Sequence, residues 1–136
     1  MPDRRPARGL LDTSVVIDLE HIESSRLPVE VAVSAITMAE LAAGPHATPD
    51  PEERARRQDR LQRAEAAFDP LPFDAEAARA YGRVYSAVVA AGRKARGARA
   101  VDLLLAATAC AAGLPLYTRN PDDFRVIGDL VEVVAV

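Results

Sequence analysis

Four carboxylates stand out by their type and position: Asp12, Glu40, Asp102 and Asp123. Asp12 directly follows the apolar run Gly9-Leu10-Leu11, and Glu40 comes shortly after Val29 to Ser34. Asp102 opens a long aliphatic run, and Asp123 trails Leu116-Tyr117-Thr118. Each has an ordinary structural use when taken singly. Asp12 can cap a helix, Glu40 can sit on a solvated helix face, and Asp123 can serve a turn. Asp102 can complement a helix dipole, a stabilisation of about 0.3–1 kcal/mol. Gathered together, they demand something else. Two such charges ~5 Å apart at an effective dielectric of ~20 repel by about 3 kcal/mol. A divalent cation offsets several such pairs, and an all-oxygen set suits Mg²⁺ or Mn²⁺.

Asp102 is the most demanding of the four. It lies between Val101 and Leu103-Leu104-Leu105-Ala106-Ala107, with no Lys or Arg from there to Ala112. A carboxylate at the edge of so apolar a helix needs a partner. The two histidines, His21 and His46, have no zinc-like spacing and read as surface or loop residues.

The elements that must position these acids alternate in kind. A short buried strand ends at Asp12, where Asp12-Thr13-Ser14 caps a helix. A second strand spans Val29 to Ser34, and Ser34 caps the helix 36–43, which Gly44-Pro45 stops. A long charged helix runs from about 51 to 68, with Leu61, Ala64, Ala67 and Phe68 on one face. Pro70 to Phe73 forms a short third strand whose prolines limit pairing. Asp74 caps a helix to about Ala91, with Ala77, Tyr81, Val84, Tyr85 and Val88 inside. Next come a basic link from Arg93 to Arg99 and a helix over 100–112, ended by Gly113. A fourth strand at 116–118, a short helix at 121–126 and a fifth strand at 130–136 complete the chain. Such alternation predicts an α/β domain: a central parallel sheet of about five strands with helices on both faces. Residues 1–7 read as a tail and 8–136 as one domain. In these folds ligands bind beyond the carboxyl ends of the strands, where all four acids are expected.

Composition narrows the function classes. At 136 residues, 49% hydrophobic and 27% charged, the chain suits one soluble domain with a real core. A net charge of −3 argues against a nonspecific nucleic-acid coat protein, although an acidic site and a basic rim can coexist. Arg93, Lys94, Arg96 and Arg99, just before Asp102, read either as such a rim, suited to phosphates, or as a solvated flexible linker. The arginines of helix 51–68 are interleaved with acids and read as a solvated or partner-binding face. A single cysteine, Cys110, excludes an internal disulfide and fits a reducing cytoplasm. The longest apolar run, 103–117, is too short to span a bilayer.

Four segments give these acids a family context. Leu10-Leu11-Asp12-Thr13-Ser14-Val15-Val16-Ile17 resembles the opening strand and turn of PIN-domain ribonucleases of the VapC toxin type. Thr37-Met38-Ala39-Glu40-Leu41 with Gly44 is similar to the family's second motif. The run from Asp102 to Ala109 is similar to the third, and Thr118-Arg119-Asn120 with Asp123-Phe124 to the fourth. Each match alone is weak, but the four in family order span nearly the whole chain.

The resemblance implies a PIN-like domain whose metal site holds Mg²⁺, with Mn²⁺ as an alternative, on Asp12, Glu40, Asp102 and Asp123. It implies supporting hydroxyls at Ser14 and Thr118 and an orienting amide at Asn120. Asp122 stands beside Asp123 as a rival fourth acid. The first acid lies deeper than the family pattern has it, so residues 1–7 are an extension or precede the true start. The implied activity is metal-assisted hydrolysis of a phosphodiester in tRNA, other structured RNA or mRNA, leaving a 5′-phosphate and a 3′-hydroxyl. The implied partners are a cognate VapB-like antitoxin, the RNA and a second copy of the chain, in the cytoplasm.

Rival readings are a catalytically silent module of the same fold, a haloacid-dehalogenase-type phosphatase and a receiver domain. The phosphatase needs a second Asp where Ser14 stands, and the receiver needs a late lysine that 100–136 lacks.

Overall fold

The computed structural model describes residues 5–93 and 98–136; within helix 98–112 the side chains of residues 98 and 99 are not described. Among these residues, four parallel strands form one sheet: β1 (Arg8–Leu11), β2 (Glu30–Val33), β3 (Leu116–Thr118) and β4 (Val133–Ala135). Their order is β2-β1-β3-β4. Leu11 lies opposite Val33 on one side and Tyr117 on the other. The chain leaves β1 toward β2 and later returns to β1's other side with β3. The topological switch point therefore lies between the carboxyl ends of β1 and β3.

Among the described residues, five α-helices accompany the sheet: α1 (Thr13–Ile17), α2 (Ala35–Ala43), α3 (Pro51–Ala67), α4 (Ala75–Ala90) and α5 (Ala98–Ala112). Short 3₁₀ turns occupy Leu19–His21, Ser24–Arg26, Gly44–Ala47 and Pro121–Ile127. The period-two pattern of the strands divides the core between two faces. Leu10 and Leu116 join Val84 and Val88 of α4 and Leu103 and Ala106 of α5 on one face. Leu11 and Tyr117 join Val15 of α1, Leu41 of α2 and Ala64 of α3 on the other.

The helix ends follow their residues. Asp12, Ser34, Asp50 and Asp74 each accept a backbone N–H of the helix they precede. Gly113 closes α5 at φ +66°, where Leu114 N–H donates to the Ala109 carbonyl (3.0 Å). Helix α5 feeds a strand parallel to β1, so it runs back across the sheet. Its N-terminal half, with Asp102 in the second turn, therefore lies toward the carboxyl edge.

Three sequence expectations change. The sheet has four strands among the described residues, since Pro70–Phe73 contributes a single bridge between Ser34 and Leu71. Pro70 and Pro72 offer no N–H, so only Leu71 pairs, donating to Val33 O (2.9 Å) and accepting from Ala35 N (2.8 Å). The last strand is confined to Val133–Ala135. Tyr85, expected inside α4, is 45% exposed, because it lies about 60° round the helix from Val88, just outside the buried stripe Ala77, Ala80, Val84 and Val88.

Of the expected tail, residues 1–4 lie outside the described residues. Arg5 donates to Ser24 O (2.8 Å), and the Pro6 and Ala7 carbonyls accept from Val29 and Glu30.

Candidate active site

Asp12 stands at the switch point. Its N–H donates to the Tyr117 carbonyl (2.9 Å), which extends the β1–β3 ladder by one bond. The side chain turns back to cap α1: Oδ1 accepts from Val15 N (3.1 Å) and from the Ser14 hydroxyl (2.5 Å). The residue is only 5% exposed. Both of these hydrogen bonds fall on Oδ1, so one carboxylate oxygen is fixed by the protein. Ser14 is fixed in turn, its Oγ accepting from Arg119 N (3.2 Å) at the end of β3. The two strand ends are thus joined through one hydroxyl.

Tyr117, whose carbonyl holds Asp12, is itself buried under Gly9. A Cβ on Gly9 would lie 2.4 Å from its ring. Burial, with the charge of Glu132 adding to it, pushes the Tyr117 phenol above its ordinary pKa.

Glu40 reaches the same edge from α2. Thr13 Oγ1 donates to Glu40 Oε1 (2.5 Å) and lies 3.0 Å from Thr37 Oγ1. Thr37 is fully buried, and its N–H donates to the Ser34 cap (3.1 Å). A hydroxyl pair therefore ties the second acid to the residue beside the first.

Asp102 is half-buried in α5, with Leu103 and Leu105 (each 1% exposed) anchoring the turn around it. Asp123 is exposed on the 3₁₀ turn after β3, and buried Phe124 pins that turn. Both acids engage neighbouring groups. Its rival Asp122 is committed to Arg125 on the surface. The Thr118 hydroxyl accepts from Asn120 N (3.0 Å), and Asn120 O accepts from Asp123 N (3.1 Å). Thr118 and Asn120 therefore shape the turn carrying Asp123, while Ser14 is the hydroxyl on Asp12.

Among the described residues no three His, Cys, Asp or Glu side chains gather so as to hold a metal ion by themselves. The donor chemistry still fits a hard divalent cation. Mg²⁺ typically takes only one or two carboxylates and completes its shell with water and substrate phosphate. Asp12, buried and fixed through one oxygen, meets that requirement.

Residues 9–130 match the PIN domain. The chain belongs to the PIN-domain family.

Within the PIN family the chain is 35% identical to Ribonuclease VapC5 of Mycobacterium tuberculosis, covering 96% of this chain and 97% of that protein. It is 30% identical to Ribonuclease VapC of Rickettsia bellii, covering 93% and 95%. The crystal structure of VapBC-5, a toxin–antitoxin system from M. tuberculosis, contains a chain that superposes with a TM-score of 0.85. That match covers 96% of this chain and all of that one, at 35% identity.

Sequence reasoning missed three contributors to this PIN site. Thr13 was read only as part of a cap and Thr37 only as part of a motif, yet together they hold Glu40. The signal was present in the hydroxyls flanking each acid. Arg119 supplies the N–H to Ser14, and its guanidinium lies 3.5 Å from Asp18 at the end of α1. No local pattern announces a pairing across so long a stretch of chain. Of the basic link, Arg93 is exposed after α4, Lys94 and Arg96 lie outside the described residues, and Arg99 is placed only as part of α5.

Proposed function

We propose that this protein is a divalent-metal-dependent endoribonuclease and the toxin of a toxin–antitoxin pair. The observation that carries the reading is Asp12: buried at the switch point, fixed on Oδ1, and linked through Thr13 to Glu40. Asp102 on α5 and Asp123 on the turn after β3 would complete the acidic set. The relatives named ribonucleases and the toxin–antitoxin complex support the same reading.

Asp12 and Asp102 would be the main cation ligands, and Glu40 and Asp123 would hold water or a second ion. When bound, Mg²⁺ or Mn²⁺ activates water and offsets charge developing on the phosphate. The chain's own residues do the positioning. Ser14 and the Val15 N–H hold Asp12 through Oδ1, so the carboxylate would offer the ion a fixed ligand. Thr13 aims Glu40, and the turn pinned by Phe124 presents Asp123. Arg93, exposed after α4, would contact the RNA backbone. The antitoxin, a VapB-like protein, binds the toxin in a reducing cytoplasm, where the lone thiol Cys110 stays reduced.

The test is cleavage of end-labelled structured RNA, with the new ends mapped. We expect cutting in Mg²⁺ that stops with chelator and leaves 5′-phosphates. Asp12→Asn and Asp102→Asn should each lose more than the about 10–100-fold typical of outer-shell partners. Wild-type rates in both variants would end the nuclease reading. A silent module of the same fold predicts no cutting by any of the proteins.

A further inference from the structure

Arg119 is a cation built into the acidic edge, and Ser14 ties it there at both ends. Its backbone N–H donates to Ser14 Oγ (3.2 Å), and the same hydroxyl donates to Asp12 Oδ1 (2.5 Å). Its guanidinium lies 3.5 Å from Asp18, whose N–H donates to the Ser14 carbonyl (3.3 Å). Arg119, Ser14 and Asp18 thus close a ring beside the hydroxyl that holds the first acid.

The pair with Asp18 is a poor strut. The two side chains are 34% and 44% exposed, and Ser14 already joins β3 to α1. Exposed pairs of this kind contribute little to stability. By contrast, Arg56, Arg57, Arg63, Arg79 and Arg125 each bond an acid three or four residues away. The Arg119 guanidinium makes no hydrogen bond among the described residues, so its donor fork is unspent. It stands beside carboxylates that would otherwise repel a phosphate backbone.

We propose that Arg119 binds the RNA: its guanidinium grips a backbone phosphate within about three nucleotides of the bond cut, and Asp18 holds it until that phosphate arrives. The proposal rests on the ribonuclease reading above. A guanidinium fork matches two phosphate oxygens in parallel hydrogen bonds, which the long contact with Asp18 does not exploit. The reach is right. Asp12 and Asp18 cap the two ends of α1, about 9 Å apart along its axis at ~1.5 Å per residue. A stacked strand rises ~3.4 Å per nucleotide, so that span is roughly two to three nucleotides. Because Asp18 competes with the phosphate, removing one partner or the other acts on RNA in opposite directions.

A labelled single-stranded RNA of about twelve nucleotides tests this on the full chain, in chelator so that nothing is cut, over a series of salt concentrations. Arg119→Gln should bind about tenfold more weakly. Its slope of log affinity against log salt should flatten by about 0.7, the value for one phosphate contact on a single strand. Arg119→Lys should keep the wild-type slope and lose part of the affinity, since it retains the charge without the fork. Asp18→Asn should bind about two- to fivefold tighter, because it releases the guanidinium. In Mg²⁺, Arg119→Gln should raise KM about tenfold and leave kcat within about twofold. Thermal melts check that the variants fold.

A wild type that binds no RNA, or a salt slope that Arg119→Gln leaves unmoved, overturns the proposal. So does an Asp18→Asn variant that weakens binding, since the pair would then be a strut between β3 and α1. If Arg119→Gln does not fold, the direction of the Asp18→Asn effect decides alone. Failure of the ribonuclease reading shows separately, as a wild type that cuts nothing in Mg²⁺ whatever its salt slope.

Discussion

Replacing Gly9 by alanine should disturb both stability and the site, through one ring. The added Cβ would meet Tyr117 Cε1 at 2.4 Å, Cδ1 at 2.8 Å and Pro28 Cγ at 3.0 Å. Tyr117 is 1% exposed and held by its backbone in β3, so the ring has nowhere to swing. Overpacking of this kind costs about 1–3 kcal/mol. For a domain of this size that is a fall in Tm of about 4–12 °C. The Tyr117 carbonyl also fixes Asp12 N, so any shift of β3 moves the first acid. Calorimetry and RNA cutting should therefore fall together in Gly9→Ala. Adding Tyr117→Leu, which removes the end of the ring, should recover part of both losses, a coupling that a double-mutant cycle measures. A Tm within 2 °C of wild type, or no recovery in the double variant, would refute this packing argument.

Other consequences follow from the hydrogen bonds. Thr13→Val keeps the shape but removes the donor to Glu40; we expect cutting to fall about 10–100-fold with little change in Tm, and Thr13→Ser to restore it. Ser14→Ala breaks the bridge between Asp12 and Arg119 N, and Mn²⁺ affinity measured by calorimetry should drop over the same range of about 10–100-fold. Glu53 is held below its ordinary 4.5 by hydrogen bonds from Arg56, then Arg57. Its stabilising contribution is full above that ordinary value and lost as pH falls through the lowered one. Carboxyl NMR should show Glu53 titrating low, and Arg56→Gln should raise its midpoint.

The parts of the fold that were legible in the sequence are those set by local rules. Ser34, Asp74 and Gly113 ended or began helices as their types dictate, and Asp12 stands where β1 ends and α1 begins. What failed was tertiary in origin. The run 70–73 is apolar enough for a strand, but two prolines leave it one residue able to pair. Tyr85 is aromatic and close in phase to the buried stripe of α4, yet it falls just outside it. Hydroxyls were visible as residue types, but which acid each would hold depended on how α1 meets α2 and β3. The Asp122/Asp123 ambiguity is physical too: both stand on the same turn, and the Arg125 pair that occupies Asp122 is three residues away on the surface.

The central claim is that carboxylates from separate segments hold one divalent ion at the end of β1. Mn²⁺ titration of the RNA-free protein, read by electron paramagnetic resonance, tests it most directly. Wild type should bind, and Asp12→Asn and Asp102→Asn should each lose most of that binding while melting cooperatively. If either variant binds Mn²⁺ as wild type does, the two acids do not share an ion and the account is wrong.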